Sequence, residues 1–211
     1  MSTVSGTSIE VNGLAKRFNR EWIFRKLNYT FLPATTYAVT GPNGSGKSTL
    51  LQVLWGQTPP SQGTLNYERP TGKIAVEDIF TTLAIAAPYM DLIDEFTLEE
   101  QISFHFKLRT PRKGLNTEKV IDNMNLRSSG NKQIGNFSSG MRQRVKLGLA
   151  FSTQAEMIFL DEPGTNLDKI AFQWYLDELQ KVQASTLVII ASNDPAEYAT
   201  ANESLNILDF K

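Results

Sequence analysis

The sequence predicts an α/β chain with a mostly parallel sheet, an N-terminal antiparallel β-subdomain and an inserted α-helical subdomain. Three observations carry this. The runs TYAVTG (36–41), MIFLDE (157–162) and TLVIIAS (186–192) are short, apolar and closed by polar turns, the pattern of strands buried on both faces of a parallel sheet. Residues 8–35, with SIEVNGLAKRF and WIFRKLNYTF, alternate in part and break near Asn19, so they read as short antiparallel strands around a turn. Between about 90 and 145 the apolar spacing becomes helical.

Length and composition set the outer limits. A chain of 211 residues can bury a sizeable core. Its net charge of −1 leaves no basic excess to neutralise a phosphate backbone, so no nucleic-acid partner is expected. The absence of cysteine excludes disulfides and thiol chemistry and fits a reducing compartment. MSTVSGTS lacks the basic and apolar segments of a secretory leader, and runs such as TLVIIA are too short to span a bilayer. A soluble, cytoplasmic chain is expected, held at the inner face of a membrane only if a partner holds it there.

Taken in chain order, the strand at 36–41 runs into GPNGSGKST, and this into the helical TLLQVLWG. Gly41, Pro42, Asn43, Gly44, Ser45, Gly46, Lys47, Ser48 and Thr49 match the P-loop pattern in the strand–loop–helix setting it requires. The glycines let the backbone curl so that N–H groups point at phosphate oxygens. Lys47 bridges the β- and γ-phosphates in this reading, and the Ser48 hydroxyl sits on Mg²⁺. A nucleoside triphosphate and Mg²⁺ are the expected ligands, and the core is expected to be a P-loop nucleoside triphosphatase core. In TLEEQISFHFKLR, Thr97 and Glu100 form a capping box, and NTEKVIDNMNL (116–126) reads as a second helix. The lone histidine, His105, lies in the first of these helices and reads as a packing or surface residue. FSSGMRQR (137–144) reads as a small polar turn opening a helix at Met141, where free N–H groups favour an anion. In MIFLDEPGTNLD, Asp161 closes an apolar strand as the acid that holds Mg²⁺ through water does in P-loop enzymes. Glu162, one residue on, is the candidate general base for an attacking water. One domain is expected over 1–211. A nucleotide-binding core with the antiparallel part covers about 8–88 and 146–211, and a helical part about 89–145.

The order P-loop, FSSGMRQR, FLDEPGTNLD resembles the ATP-binding cassette (ABC) proteins, the motor subunits of ABC transporters, over nearly the whole chain. The resemblance makes FSSGMRQR the counterpart of the family's LSGGQ signature and NLD, ending at Asp168, that of its D-loop. It implies that Ser138, Ser139 and Gly140 bind the γ-phosphate held by the P-loop of a second cassette, so a homodimer is expected. It places Phe18 where the family stacks an aromatic on adenine. A place in the core of the small antiparallel sheet stays open for Phe18, with Trp22 as the alternative stacking residue. It also implies an integral membrane partner, one of whose helices docks near YMDLIDEF (89–96), unless those residues only cover the helical part's own core.

Several positions depart from the family. The signature has Phe137, Ser139 and Met141 in place of Leu, Gly and Gln. The Q-loop glutamine falls on Pro88 or Tyr89, and Tyr89 reads either as a wedge against the helical part or as a metal or water contact. The switch histidine is Asn193, whose amide can still donate to a γ-phosphate oxygen. Slow or differently timed hydrolysis is expected. The implied function is an ATP-hydrolysing motor subunit of a transporter; the alternative is a soluble ATP-dependent clamp or assembly switch of the same family.

Overall fold

The computed structural model describes residues 6–211, so the leader reading of residues 1–5 lies outside the described part. The chain opens with β1 (Ser8–Phe18) and β2 (Glu21–Phe31), an antiparallel hairpin in which Phe18 faces Glu21 and Asn19 takes φ 53° at the turn. Asparagine tolerates that left-handed conformation better than most residues. The strands are 11 residues each, longer than the short strands expected, because register shifts after Val11, Leu14 and Lys16 let the pair twist and continue. After β3 (Thr36–Thr40) and α1 (Lys47–Leu54) the chain returns to this sheet as β4 (Gln62–Arg69) and β5 (Gly72–Ile74), giving the order β2-β1-β4-β5. The sequence reading missed these last two strands, since QGTLNYER is mostly polar and only Tyr67 is fully buried.

The rest alternates strand and helix: β6 (Leu83–Ala86), α2 (Leu98–Leu108), α3 (Thr117–Asn123), α4 (Ser139–Ser152), β7 (Met157–Asp161), α5 (Lys169–Gln183), β8 (Leu187–Ala191) and β9 (Glu203–Asn206). The second sheet has the order β6-β7-β8-β3-β9, with every neighbouring pair parallel. β6, β7 and β8 read as apolar runs because each face of the sheet has its own core. Met157 and Phe159 of β7 point into the core shared with α1 and the antiparallel sheet, while Ile158 and Leu160 point into the core under α4 and α5. Polar ties anchor the antiparallel sheet to the rest of the core. The Tyr67 hydroxyl donates to the Leu54 carbonyl at 2.8 Å, and Arg69 grips the Glu156 carboxylate through Nε at 3.0 Å and Nη2 at 2.5 Å.

In the helical part the Thr97–Glu100 capping box is present at the start of α2. α3 is shorter than the 116–126 expected. Asn116 caps it, and it ends at Asn123 because Asn125 turns left-handed at φ 54°. The boundary expected at 145/146 cuts an unbroken helix, since α4 runs from Ser139 to Ser152 and links the two parts. Leu92 of YMDLIDEF is buried in the helical core, whereas Tyr89 and Met90 are exposed.

His105 is a packing residue. Its Nε2 lies 2.8 Å from the Thr153 hydroxyl, joining α2 to the end of α4. Burial, with the Arg109 charge adding, lowers its pKa to about 4. An unfolded imidazole titrates near 6.5, so between these values the unfolded state binds more protons and stability falls as pH falls. The expected loss from pH 7 to pH 5 is about 2 kcal/mol, absent from His105→Gln. Urea unfolding of both proteins at the two pH values measures it; equal pH slopes would refute the assignment.

Candidate active site

The carboxyl ends of the parallel strands converge on one edge, and the candidate residues sit there. β3 feeds the P-loop, β6 leads to Tyr89, β7 ends at Asp161, and β8 leads to Asn193. Clefts at this end are where open α/β sheets carry ligands. The loop curls because Gly41, Gly44 and Gly46 take φ of 142°, 75° and 103°. Gly46 is also a packing necessity, since a Cβ there would lie 2.3 Å from Ile23 Cγ2 of β2. The Lys47 side chain is buried and folds back over the loop, donating to the Gly41 carbonyl at 3.0 Å and the Pro42 carbonyl at 3.2 Å. Ser48, in the first turn of α1, donates to Asp161 Oδ1 at 3.0 Å.

Asp161 is 1 % exposed. Burial pushes its carboxyl up to about 6; the Ser48 hydrogen bond and the Lys47 charge oppose the shift, and the Glu162 charge adds to it. Glu162 sits at φ 46°, a left-handed backbone that is costly for a residue with a side chain. Its surroundings hold it there. The Glu162 N–H donates to the Ala191 carbonyl at 2.8 Å, its carbonyl accepts from Thr165 N at 3.2 Å, and Gln143 of α4 donates to the Pro163 carbonyl at 2.9 Å.

A family model described as "ABC transporter" matches residues 24–165, the span that carries this P-loop and strand-end acid pair. The chain belongs to the ABC transporter family. Similar proteins include a Nod factor export ATP-binding protein I of Rhizobium johnstonii, 25 % identical over 93 % of this chain. The daunorubicin resistance ATP-binding protein DrrA3 of Streptomyces coeruleorubidus is 24 % identical over 98 % of this chain. The chain spans 64 % of the length of the first and 66 % of the second. Among solved structures, a putative ABC transporter ATP-binding protein from Pyrococcus furiosus aligns at TM-score 0.81 and 20 % identity, covering 97 % of this chain and 99 % of that one. A bacterial Atm1-family ABC exporter with ATP bound aligns at 0.80 and 18 % identity, covering 97 % of this chain and 38 % of that one. The fold is the P-loop α/β fold with its antiparallel and helical additions.

The other candidate residues of this ABC-family chain fall as follows. Ser138 caps α4, its hydroxyl accepting from Met141 N at 3.3 Å; the helix begins at Ser139, two residues before the start expected. Ser139 and Gly140 therefore carry first-turn N–H groups with no partner in their own helix. Phe137 is not part of a polar turn: it is buried under α4 with the Lys132 ammonium 5.7 Å from its ring. Gly140 has a packing reason of its own, since a Cβ there would meet the Asn166 carbonyl at 2.6 Å. The signature turn thus rests on its own D-loop. Among the described residues no hydrogen bond joins 138–140 to the P-loop. Asp168 caps α5, its Oδ1 accepting from Ala171 N at 2.8 Å.

Phe18 is 48 % exposed with the Lys16 ammonium 4.9 Å from its ring, so the sheet-core reading fails. Trp22 lies between the Arg17 and Arg25 guanidinium groups at 5.4 and 5.9 Å. Of the two Q-loop positions, Pro88 is exposed and gives its carbonyl to the Lys146 ammonium at 2.8 Å. Tyr89 faces the strand ends. Its ring lies 6.4 Å from that of Trp55, and burial pushes its phenol up to about 12, with Gln52 opposing and the Asp161 charge adding. It is not wedged against the helical part. Asn193 is exposed two residues past β8, and its side chain makes no hydrogen bond among the described residues. Gln143 and Lys211 were missed. Lys211 donates to the carbonyls of Ser45 and Ile23 at 2.7 and 2.8 Å and so braces the P-loop from the far end of the chain, a contact with no local sequence signal.

Proposed function

We propose that this chain binds and hydrolyses ATP as the motor subunit of an ABC transporter, working as a nucleotide-sandwich dimer that powers a separate membrane subunit. The observation that carries this is the 3.0 Å contact of Ser48 with Asp161, which brings the P-loop and the strand-end acid together across 113 residues of sequence. Among the described residues no group of three or more His, Cys, Asp or Glu is arranged to hold a metal. A hydroxyl and one carboxylate, both hard oxygen donors, instead fit Mg²⁺, which completes its shell with water and substrate phosphates. Ser48 and Asp161 would hold it, and it would supply charge neutralisation at the β- and γ-phosphates.

The residues then divide the work. Backbone N–H groups from Asn43 to Thr49 cradle the phosphates. Lys47 trades its two carbonyl contacts for β- and γ-phosphate oxygens, and Phe18 offers an exposed ring to adenine. Glu162 accepts a proton from the attacking water, and Ser138, Ser139 and Gly140 contact the γ-phosphate held by the second copy. No helix among the described residues is long and apolar enough to cross a membrane. A cleft of about 620 Å³ lined by Trp55, Val76, Phe80, Tyr89 and Met90 suits an apolar helix from that partner. The relatives named for Nod factor export favour export over import.

Steady-state phosphate release by the purified chain with Mg²⁺ and ATP tests the reading, and no release above a protein-free control would sink it. The same assay addresses Asn193. If its amide donates to the γ-phosphate, Asn193→Ala lowers the rate by about tenfold to a hundredfold, the effect of losing one positioned contact of ~1.4–2.7 kcal/mol. A rate equal to the parent's would make Asn193 a bystander.

A further inference from the structure

Glu197 lies in a 3-10 turn, Pro195–Tyr198, that follows β8 and Asn193. It is 6 % exposed, and no role in ATP chemistry has been given to it so far. Its Oε1 accepts the Gly164 N–H at 2.9 Å, two residues beyond Glu162. Its backbone carbonyl accepts the Tyr175 hydroxyl of α5 at 2.6 Å, which fixes the turn against the helix. Its Oε2 is buried without a hydrogen-bond partner. The seat is tight from the other side too. A Cβ on Gly164 would lie 2.4 Å from Oε1 and 2.7 Å from Phe172 Cε2, so only glycine lets the backbone come this close. Burial raises the Glu197 carboxyl, Ser192 and the Gly164 N–H oppose the shift, and the charges of Asp194 and Glu162 add to it. The same carboxyl thus ties the turn that follows Asn193 to the loop that carries Glu162.

We propose that Glu197 is a positioning residue that locks the loop of the candidate base Glu162 to the loop of Asn193. The lock holds Glu162 in its left-handed conformation, alongside Gln143 on Pro163 and the Glu162 N–H on Ala191. A buried carboxyl beside two other acids is favoured in its neutral form. Neutral, it carries one acceptor and one donor, the pair a glutamine carboxamide also carries. The conservative replacement therefore distinguishes a hydrogen-bonding lock from a charge effect.

The inference rests on the ATPase reading above, and the test separates the two. Phosphate release and amide hydrogen exchange are measured on the parent, Glu197→Ala, Glu197→Gln and Gly164→Ala. Glu197→Ala is expected to lower kcat by about tenfold or more with KM for ATP within about twofold, and Glu197→Gln to stay within about threefold of the parent. Gly164→Ala, which pushes on the same contact from the other side, is expected to lower kcat as Glu197→Ala does. Exchange at the Gly164 amide is expected to quicken by about tenfold or more in Glu197→Ala, with the α2 amides unchanged. Parent kcat in Glu197→Ala, a Glu197→Gln as slow as Glu197→Ala, or quickened exchange throughout the chain would overturn the lock. If the parent releases no phosphate above a protein-free control, the ATPase reading fails, and exchange at Gly164 still decides: unchanged protection in Glu197→Ala overturns the lock by itself.

Discussion

Glu162→Gln is expected to lower phosphate release by about 10²–10⁴-fold, the usual share of a positioned general base, while leaving ATP affinity close to the parent's. The substitution keeps the shape and the left-handed turn at φ 46°, and removes only the proton acceptor. ATP should then persist in the site. If Ser138, Ser139 and Gly140 of one copy contact the γ-phosphate held by another, this variant accumulates a dimer with ATP and releases it with ADP, since the shared ligand adds free energy only while the γ-phosphate is present. Light scattering with saturating Mg²⁺ and ATP reads the assembly. A monomer under those conditions counts against the homodimer, and turnover equal to the parent's counts against Glu162 as base.

Lys47→Ala carries the second large effect. The ammonium is the P-loop's only side-chain cation, buried with its charge turned onto the Gly41 and Pro42 carbonyls. Its removal leaves γ-phosphate charge facing Asp161, a carboxylate whose proton affinity burial already raises and which Lys47 helps to keep ionised. ATP affinity is expected to fall by about 1.5–3 kcal/mol, the worth of one charge-assisted hydrogen bond. That is roughly a 10- to 150-fold rise in Kd. Titration calorimetry with ATP checks it, and an unchanged Kd would mean that this loop is not the nucleotide site.

What could be read in advance was what lies close together in sequence. The nine residues from Gly41 to Thr49 state their geometry through their own glycines, and Asp161 declares itself by ending an apolar strand. The capping box at Thr97 and Glu100 is equally local. What stayed hidden depends on contacts made across the fold. β4 and β5 carry mostly polar side chains because one face of their sheet meets solvent. Tyr89 takes its place from packing beside Trp55 and Asp161, which no spacing along the chain reports. Gly140 looked like a phosphate-contacting glycine alone, yet the Asn166 carbonyl 2.6 Å from its missing Cβ already demands a glycine there. Lys211 and Glu197 act on the P-loop and on the Glu162 loop from elements far along the chain.

The strand order has a consequence for biosynthesis. β3, which launches the P-loop, lies between β8 and β9, two strands that leave the ribosome long after it. The nucleotide-binding loop is therefore made early, but β3 has no paired neighbour until β8 and β9 have been made. Closing so long a loop before any pairing rewards it is entropically slow. A nascent chain halted before Leu187 would hold an unpaired β3, four of whose five residues are buried in the folded protein, a segment prone to wrong partners. The strand under the loop is therefore flanked on both sides only once β8 and β9 have docked.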